Sequence, residues 1–585
     1  MNKKSVLLVS ILLFLTVMGI KVNLNSEKES GSKFSNHDFF ESNWTENTIR
    51  LIRASRTVDG GYAGFNTKPE LHSTYYFVMI SDFIGLEPLY RQRTVKYLEG
   101  ELEKFNTSKN TLEDLYYISK SLYYLDKARS YEHRSKIMGL LNSYQAESGG
   151  FANAVGGVPT GFANLAASEL MGLYQIPSEK FYEYMYSKYL NNSYMRDLFH
   201  LEEVIVSLHN IGVDVKRLPN IDQRKDYLNE VKKEILSLKE LKKSGNLAYV
   251  LAYLNVASIL NESPGIPDEV IRYIISQQNR DGGFGFDFSP VSNEFGTYVA
   301  LKIIAESGYE IPNREKIAEL VTLHELPTGG YTPIVRGLAA AKYTYYAVSI
   351  LKDLNESYDK SVETFFEHRF WEAVEDLKSG RYNFDFYPSI AGLTLLGKAV
   401  ERDVVIDACM PYVEMFASGE LDNLQVFYEC MTALKLVNTT LKGDTMDKII
   451  ERIYGFERDG YFCIEKDCNI VEAQKETMEF IEVLNYLNAE PKNKESLVEW
   501  LKSQQNSDGG FGLDNKSNIL STYFVVKSLK ILGETPENPD GVLEFLERCK
   551  RKVGGFSFTA EDEKPTIITT YYGVKTARLI EGGVT

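Results

Sequence analysis

The residues of this chain that admit chemistry are few and scattered. All five cysteines, Cys409, Cys430, Cys463, Cys468 and Cys549, fall in the second half. Cys463 and Cys468 share one expected loop and suit a local disulfide in an oxidising compartment. The odd total leaves at least one thiol free or joined to another chain. Single carboxylates occur in Phe286-Asp287-Phe288, Phe384-Asp385-Phe386 and Gly512-Leu513-Asp514. Asp287, Asp385 and Asp514 admit a role as proton donors, but after a Gly-rich turn a cap or turn role is the simpler reading. Glu70, Glu294 and Glu472 stand near expected helix starts, where negative charge complements the helix dipole. Nothing in the sequence pairs them as a glycosidase pairs its two carboxylates. His72 lies just before Thr74-Tyr75 and could reach a cavity mouth; a structural or surface role is the plainer reading.

The elements that must position these residues are repeated. A Gly-Gly-aromatic step recurs at Gly60-Gly61-Tyr62, Gly149-Gly150-Phe151, Gly282-Gly283-Phe284, Gly329-Gly330-Tyr331, Gly509-Gly510-Phe511 and Gly554-Gly555-Phe556. Weaker copies are Asp459-Gly460-Tyr461 and Ser379-Gly380-Arg381-Tyr382. Gln145, Gln278 and Gln505 stand four residues before the first glycine. Thr-Tyr follows 13 to 16 residues after it, at Tyr75, Tyr298, Tyr345, Tyr523 and Tyr571, and a proline closes the unit. Paired glycines stop a helix, apolar residues then recur at helical spacing, and proline opens the next helix. One unit is therefore helix, Gly-Gly-aromatic loop, helix, proline turn. Clear copies lie 45 to 51 residues apart. The wider gaps leave room for degenerate units whose second helices fall near Leu112–Tyr124, Asp197–Ile211, Leu247–Leu260 and Leu421–Leu436. The sum is about twelve hairpins, dividing evenly near residue 313.

Gln278-x-x-x-Gly282-Gly283-Phe284 with Thr297-Tyr298, and Gln505 to Phe511 with Thr522-Tyr523, resemble the repeat of the prenyltransferase and terpene-cyclase superfamily. The resemblance covers nearly the whole chain after its N-terminal segment. It implies an all-α fold in which the hairpins close into two α6/α6 toroids, second helices inside, one over residues 43–312 and one over 313–585. The family's chemistry is harder to find. Its protein prenyltransferases hold zinc with an Asp, a Cys two residues later and a His on a later inner helix; here Asp467 and Cys468 are adjacent, and no histidine follows His368. Its class II cyclases use Asp-x-Asp-Asp and its diphosphate-binding members Asp-Asp-x-x-Asp; neither run occurs. A secreted branch of the toroid fold carries a Gly-Cys-Gly-Glu-Gln thioester, and no cysteine here has that context. No cofactor or metal is therefore expected. The Thr-Tyr tyrosines either ring a central cavity, as faces for an apolar chain or a sugar, or pack against the next hairpin; their recurrence favours packing.

Lys3 and Lys4, an apolar run from Val6 to Ile20 and then Lys21 read as a secretory signal or membrane anchor over residues 1–22, with a polar tether over 23–42. Either reading places the body outside the cytoplasm, where sequons such as Asn43-Trp44-Thr45 permit glycosylation. A formal charge of −16 without basic clusters argues against nucleic acid. The expectation is an extracytoplasmic double toroid that binds an apolar chain, a glycan or a protein partner. The alternative is a divergent isoprenoid transferase or cyclase, or a carbohydrate-active enzyme.

Overall fold

Among the described residues, twelve helices dominated by buried residues run in chain order through the structure, a computed structural model: α1 Leu71–Ile84, α2 Leu112–Leu125, α3 Gly161–Tyr174, α4 Leu198–Asn210, α5 Leu247–Leu260, α6 Glu294–Glu306, α7 Ala341–Asp353, α8 Phe386–Leu395, α9 Leu424–Leu436, α10 Ile470–Tyr486, α11 Ile519–Ile531 and α12 Ile567–Ile580. The structure describes residues 39–57, 59–191, 194–262, 265–335, 339–421, 423–465 and 468–582, apart from the side chains of residues 194, 234 and 287. The apolar segment 6–20, Asp467 and the Asp287 side chain lie outside the described residues. Residues 41–585 form one compact unit; of the unit before it, only Phe39 and Phe40 are described.

Each of α1 to α6 packs on the next, and α6 returns to α1; α7 to α12 close in the same way. The described residues thus form an all-α protein with two rings of six inner helices, as the family resemblance implies. Outer helices such as Arg91–Glu103, Glu179–Leu190 and Lys494–Ser503 separate the inner ones in sequence. Inner helices start on side-chain caps: Thr160, Asn293, Asn518 and Thr566 each accept a backbone N–H of the first turn, and Thr111 and Asn469 build full capping boxes.

The motif residues are the joints between these elements. The aromatic after the glycines donates its N–H to the threonine of an inner helix: Phe284 to Thr297 and Phe511 to Thr522 at 2.9 and 3.1 Å, Phe462 to Thr477 and Phe556 to Thr570 at 2.9 and 3.0 Å. At Phe151 the acceptor is Asn164 Oδ1, at 2.7 Å. The glutamine donates both to the glycine carbonyl and to the segment before the next outer helix, as Gln505 does to Gly509 and Asn538, each at 2.8 Å. Gly509 has φ +88°, and a Cβ there would lie 2.0 Å from the Gly541 carbonyl oxygen. No side chain fits at that crossing.

Two of the joints run between the halves of the sequence. Tyr62 donates its N–H to Thr344 of α7, 282 residues on, and Tyr331 donates to Thr74 of α1, 257 residues back. The helix Ser42–Ala54 accordingly belongs with the second ring, where Trp44 Nε1 donates to the Gly555 carbonyl at 3.1 Å. The helix Arg314–His324 packs on α1, with His324 stacked on Phe77. The hydrophobic core of the first ring runs unbroken from Tyr75 to Ile334. A division near 313 therefore counts the hairpins evenly but does not follow their pairing: the first ring sits inside the connection between the first outer helix of the second ring and its inner partner. Six side chains of Ser42–Ala54 are buried, among them Trp44, Ile49, Leu51 and Ile52. At about 1.5–3 kcal/mol for each large apolar side chain, this helix is a substantial part of the second ring's stability.

Candidate functional site

The inner helices point their N-terminal ends to one mouth of each ring. In the first ring, Ser73 donates to Glu294 at 3.1 Å, joining the starts of α1 and α6, and the Leu112 N–H reaches the Asn153 carbonyl before α3. In the second, Asp385 before α8 accepts the Ala341 N–H that opens α7, at 3.2 Å, and the Ile519 N–H reaches the Phe558 carbonyl.

The rim of the first mouth is apolar. Val155 and Val158 in the loop before α3, Phe162 and Phe199 at the second residues of α3 and α4, and Phe286 before α6 are all exposed, Val158 to 82%. Phe199 lies against Tyr249 and Phe286 against Phe295, with ring centroids 4.4 and 5.6 Å apart. Beside this rim a pocket of about 520 Å³ is lined by Glu70, His72, Ser73, Glu294 and the segment 333–335. His72 stands edge-on to Tyr76 and Tyr117, and Glu294, fully buried, also accepts the Ile334 N–H at 2.7 Å. Within the ring, Tyr75 stacks on Tyr117 at 5.0 Å and shares a hydroxyl contact with Tyr116, and Tyr298 closes on Tyr76 at 5.4 Å. Past this plug Lys120 meets Glu169 at 3.0 Å, and Asn255 joins Glu202 to Lys302. Burial opposes ionisation of Glu169, but Lys120 and the Tyr116 hydroxyl outweigh it and hold its carboxyl below the usual range. Glu169 keeps 36% of its side-chain surface accessible inside the ring.

The second lumen is more highly charged. Tyr571 stacks on Tyr346 at 4.2 Å, Tyr345 meets the Tyr571 hydroxyl at 3.4 Å, and Tyr523 lies 4.8 Å from Tyr572. Glu482 receives Lys527 and the Tyr428 hydroxyl, each at 2.6 Å. Burial pushes its carboxyl up, yet Lys527, Tyr428 and Lys435 hold it down to about 2. One helical turn away, Glu479 is 2% exposed, its Oε2 has no hydrogen-bond partner among the described residues, and Lys475 stands 3.4 Å from its other oxygen. Burial pushes the Glu479 carboxyl up to about 7. A hydrogen-bonded chain runs from Tyr382 through Glu429 and Gln425 to Lys475, at 2.6, 2.7 and 3.0 Å. Two carboxylates thus share one lumen with opposite tendencies to ionise, and Glu429 shares the reluctance of Glu479, its carboxyl also raised by burial.

Of the residues read from sequence, the tyrosines gather inside the rings, and His72, Glu70 and Glu294 meet at the first mouth. The single carboxylates are dispersed. Asp385 bonds a neighbouring helix start, and Asp514 sits at φ +52° in the tight turn between Gly512–Leu513 and Lys516–Ser517. Glu472 completes the Asn469 capping box. The sulfurs of Cys463 and Cys468 are bonded to each other, with Cα atoms 6.2 Å apart and Glu476 beside them. That donor set does not fit the family's zinc, which needs a free Cys thiolate and a late histidine. Glu429, Glu479 and Glu482 escaped the sequence reading; for the last two the one signal is polar residues at helical spacing, 475, 479 and 482, on a helix with an otherwise apolar stripe.

Two closed rings of antiparallel hairpins, joined by Gly-Gly-aromatic loops that bond inner-helix threonines, define an α/α-toroid repeat protein. The family model described as the prenyltransferase alpha-alpha toroid domain matches residues 87–204, 220–375, 406–512 and 477–582, well over half of the chain. The chain belongs to that family. No curated protein sequence matches it.

Proposed function

We propose that this is an extracytoplasmic binding protein whose first ring takes an apolar chain at its mouth. The observation that carries the reading is the cluster of exposed apolar side chains, Val155, Val158, Phe162, Phe199 and Phe286, around one mouth of a ring otherwise closed by its own tyrosines. Apolar groups left in water at the start of several inner helices gain free energy only when something covers them. A glycan or a protein segment is the alternative occupant. The N-terminal apolar run supports location outside the cytoplasm; among the described residues no helix is long and apolar enough to cross a membrane. Titrating a dansyl-labelled C15 isoprenoid alcohol into the protein tests the reading. Saturable binding that weakens about tenfold or more in a Phe162→Ser, Phe199→Ser double variant supports it; no binding, or equal binding by the variant, removes the apolar ligand.

One observation favours an enzyme instead: Glu429 and Glu479 face one lumen, with Glu479 held near neutrality. Such a carboxyl has the protonation range of a general acid. The lining tyrosines leave that lumen polar, which suits a carbohydrate better than a prenyl chain.

A further inference from the structure

One joint departs from the repeat, and a hollow lies where it does. In the regular joints the second glycine rests on a large side chain of the outer helix that follows. A Cβ at Gly283 would lie 2.9 Å from Leu320 and one at Gly510 2.7 Å from Phe545, both of them buried. The aspartate before the glycines is committed to the loop. Asp281 accepts the Gly283 N–H and the Ser292 hydroxyl at 3.0 and 2.7 Å, and Asp508 accepts those of Gly510 and Ser517 at 3.1 and 2.5 Å.

In the joint before α10 the bond from Phe462 to Thr477 fixes the register, so Gly460 stands for the first glycine and Tyr461 for the second. The loop is one residue shorter: its bridge joins Glu457 to Phe462, where the others join Gln145 to Phe151 and Gln505 to Phe511. Gly460 keeps the close approach, with a Cβ there 2.7 Å from that of Trp500 on the helix Lys494–Ser503. Tyr461 puts a ring where a hydrogen is the rule. That ring stacks on Trp500 at 5.1 Å, and Trp500 is left half-buried. Asp459 makes neither loop bond among the described residues; it is exposed and faces the hollow instead.

The hollow measures about 540 Å³ and is lined by Asp459, Asn493, Ser496, Glu499, Trp500 and Ser503. Its volume falls within the range of small-ligand sites, roughly 300–1,000 Å³. Asn493 precedes its helix without capping it through the side chain. The nearby lysines are engaged elsewhere: Lys492 over the Tyr454 ring at 4.6 Å, Lys494 with Glu490 at 3.2 Å and Lys502 with Glu534 at 2.6 Å.

We infer that this hollow is a binding site for a neutral saccharide. Two carboxylates accept hydroxyl donors, an amide and two serine hydroxyls both donate and accept, and an indole backed by a second ring offers an apolar face to sugar C–H groups. A lipid chain would strand the five polar side chains, and an anion would meet two carboxylates without a lysine or arginine in the lining. The site lies beside an outer helix of the second ring, so it is independent of ligand binding at the first mouth.

Saturation-transfer NMR on the full chain tests this, with maltohexaose, cellohexaose, mannohexaose and N-acetylchitohexaose as probes. At least one of the four should bind with a Kd of about 1 mM or tighter. Trp500→Ala and Asp459→Asn should each weaken it about tenfold; Asp459 holds nothing in the fold, so its variant stays native even if the Trp500 variant does not. Tyr461→Gly restores the usual joint and should abolish binding, whereas the Phe162→Ser, Phe199→Ser double variant should leave it unchanged. Failure of all four sugars to bind overturns the proposal, and so does binding that a folded Asp459→Asn protein retains in full. Binding of tetramethylammonium in place of the sugars, lost in the same variant, would overturn it in favour of a cation site.

Discussion

The recurrent threonine shows what one hydroxyl does in this fold. Thr522 Oγ1 accepts the Phe511 N–H and donates to the Asn518 carbonyl, with all three residues out of solvent. Thr522→Val keeps the shape but strands the Phe511 N–H, so we expect a loss of about 1–3 kcal/mol in urea unfolding. The Thr-Tyr pair was legible in the sequence as a repeated feature; that its threonine, more than its tyrosine, ties the loop was not, because a hydrogen bond to a main-chain N–H leaves no trace in residue spacing. Glu429 and Glu479 were hidden for a related reason. On a helical wheel a polar residue facing a lumen looks the same as one facing bulk solvent.

Two buried groups should make stability depend on pH in opposite directions. Burial lowers His324 to about 4, below its ordinary 6.5. The unfolded chain therefore binds the proton first, and the His324 contribution is present above 6.5 and lost as pH falls toward 4. Glu479 is raised from 4.5 to about 7, so its contribution is present below 4.5 and lost as pH rises through 7. Melting temperatures between pH 4.5 and 7 should rise less steeply with pH in His324→Phe than in wild type, and more steeply in Glu479→Gln. Parallel curves for all three proteins would refute both assignments.

At the scale of the element, glycines of equal backbone conformation should differ by what they touch. Gly509 and Gly533 have φ of +88° and +82°, but a Cβ at Gly509 meets the Gly541 backbone while one at Gly533 meets nothing. Gly533→Ala should cost about 1–2 kcal/mol, the price of a left-handed alanine. Gly509→Ala adds a backbone collision and should lose about 3 kcal/mol or more in the same unfolding assay. The Gly-Gly spacing announced these loops in the sequence. The degenerate units were harder to place, yet the inner helices Leu112–Leu125, Leu198–Asn210, Leu247–Leu260 and Leu424–Leu436 fall within a few residues of where the repeat length puts them. Their glycines are gone, but their apolar stripe remains, because every inner helix must still pack on two neighbours.

For the whole molecule, the exchanged joints decide which pieces can stand alone. A fragment of residues 66–334 holds α1 to α6 and the helix Arg314–His324 that packs on α1. It should fold to a helical monomer with a cooperative melt. A fragment of residues 43–312, nearly equal in size, lacks that outer helix and carries all of Ser42–Ala54 but its first residue, with its buried face uncovered; it should aggregate or melt without cooperativity. Circular dichroism melts of the two fragments compare them directly, and equal behaviour would refute the exchange. The sequence could not have shown this pairing. Every unit carries the same loop and the same threonine, so spacing identifies a joint but not which of two equivalent helices receives it.

The same exchange sets an order of assembly on the ribosome. Ser42–Ala54 emerges first among the described helices, but its seat includes Gly555 and Phe556, near the other end of the chain. The first ring has all its parts once Ile334 has been synthesised and can close while the rest is still being made. Through that interval of more than 200 residues, Trp44 and its neighbours wait without their second-ring partners, although Leu326 and the helix Arg314–His324 already offer Leu51 one side of its seat. A holding chaperone, or passage through a secretion channel before closure, would shield them, and a nascent chain stalled just after Ile334 should carry a finished ring and a sticky leader at once.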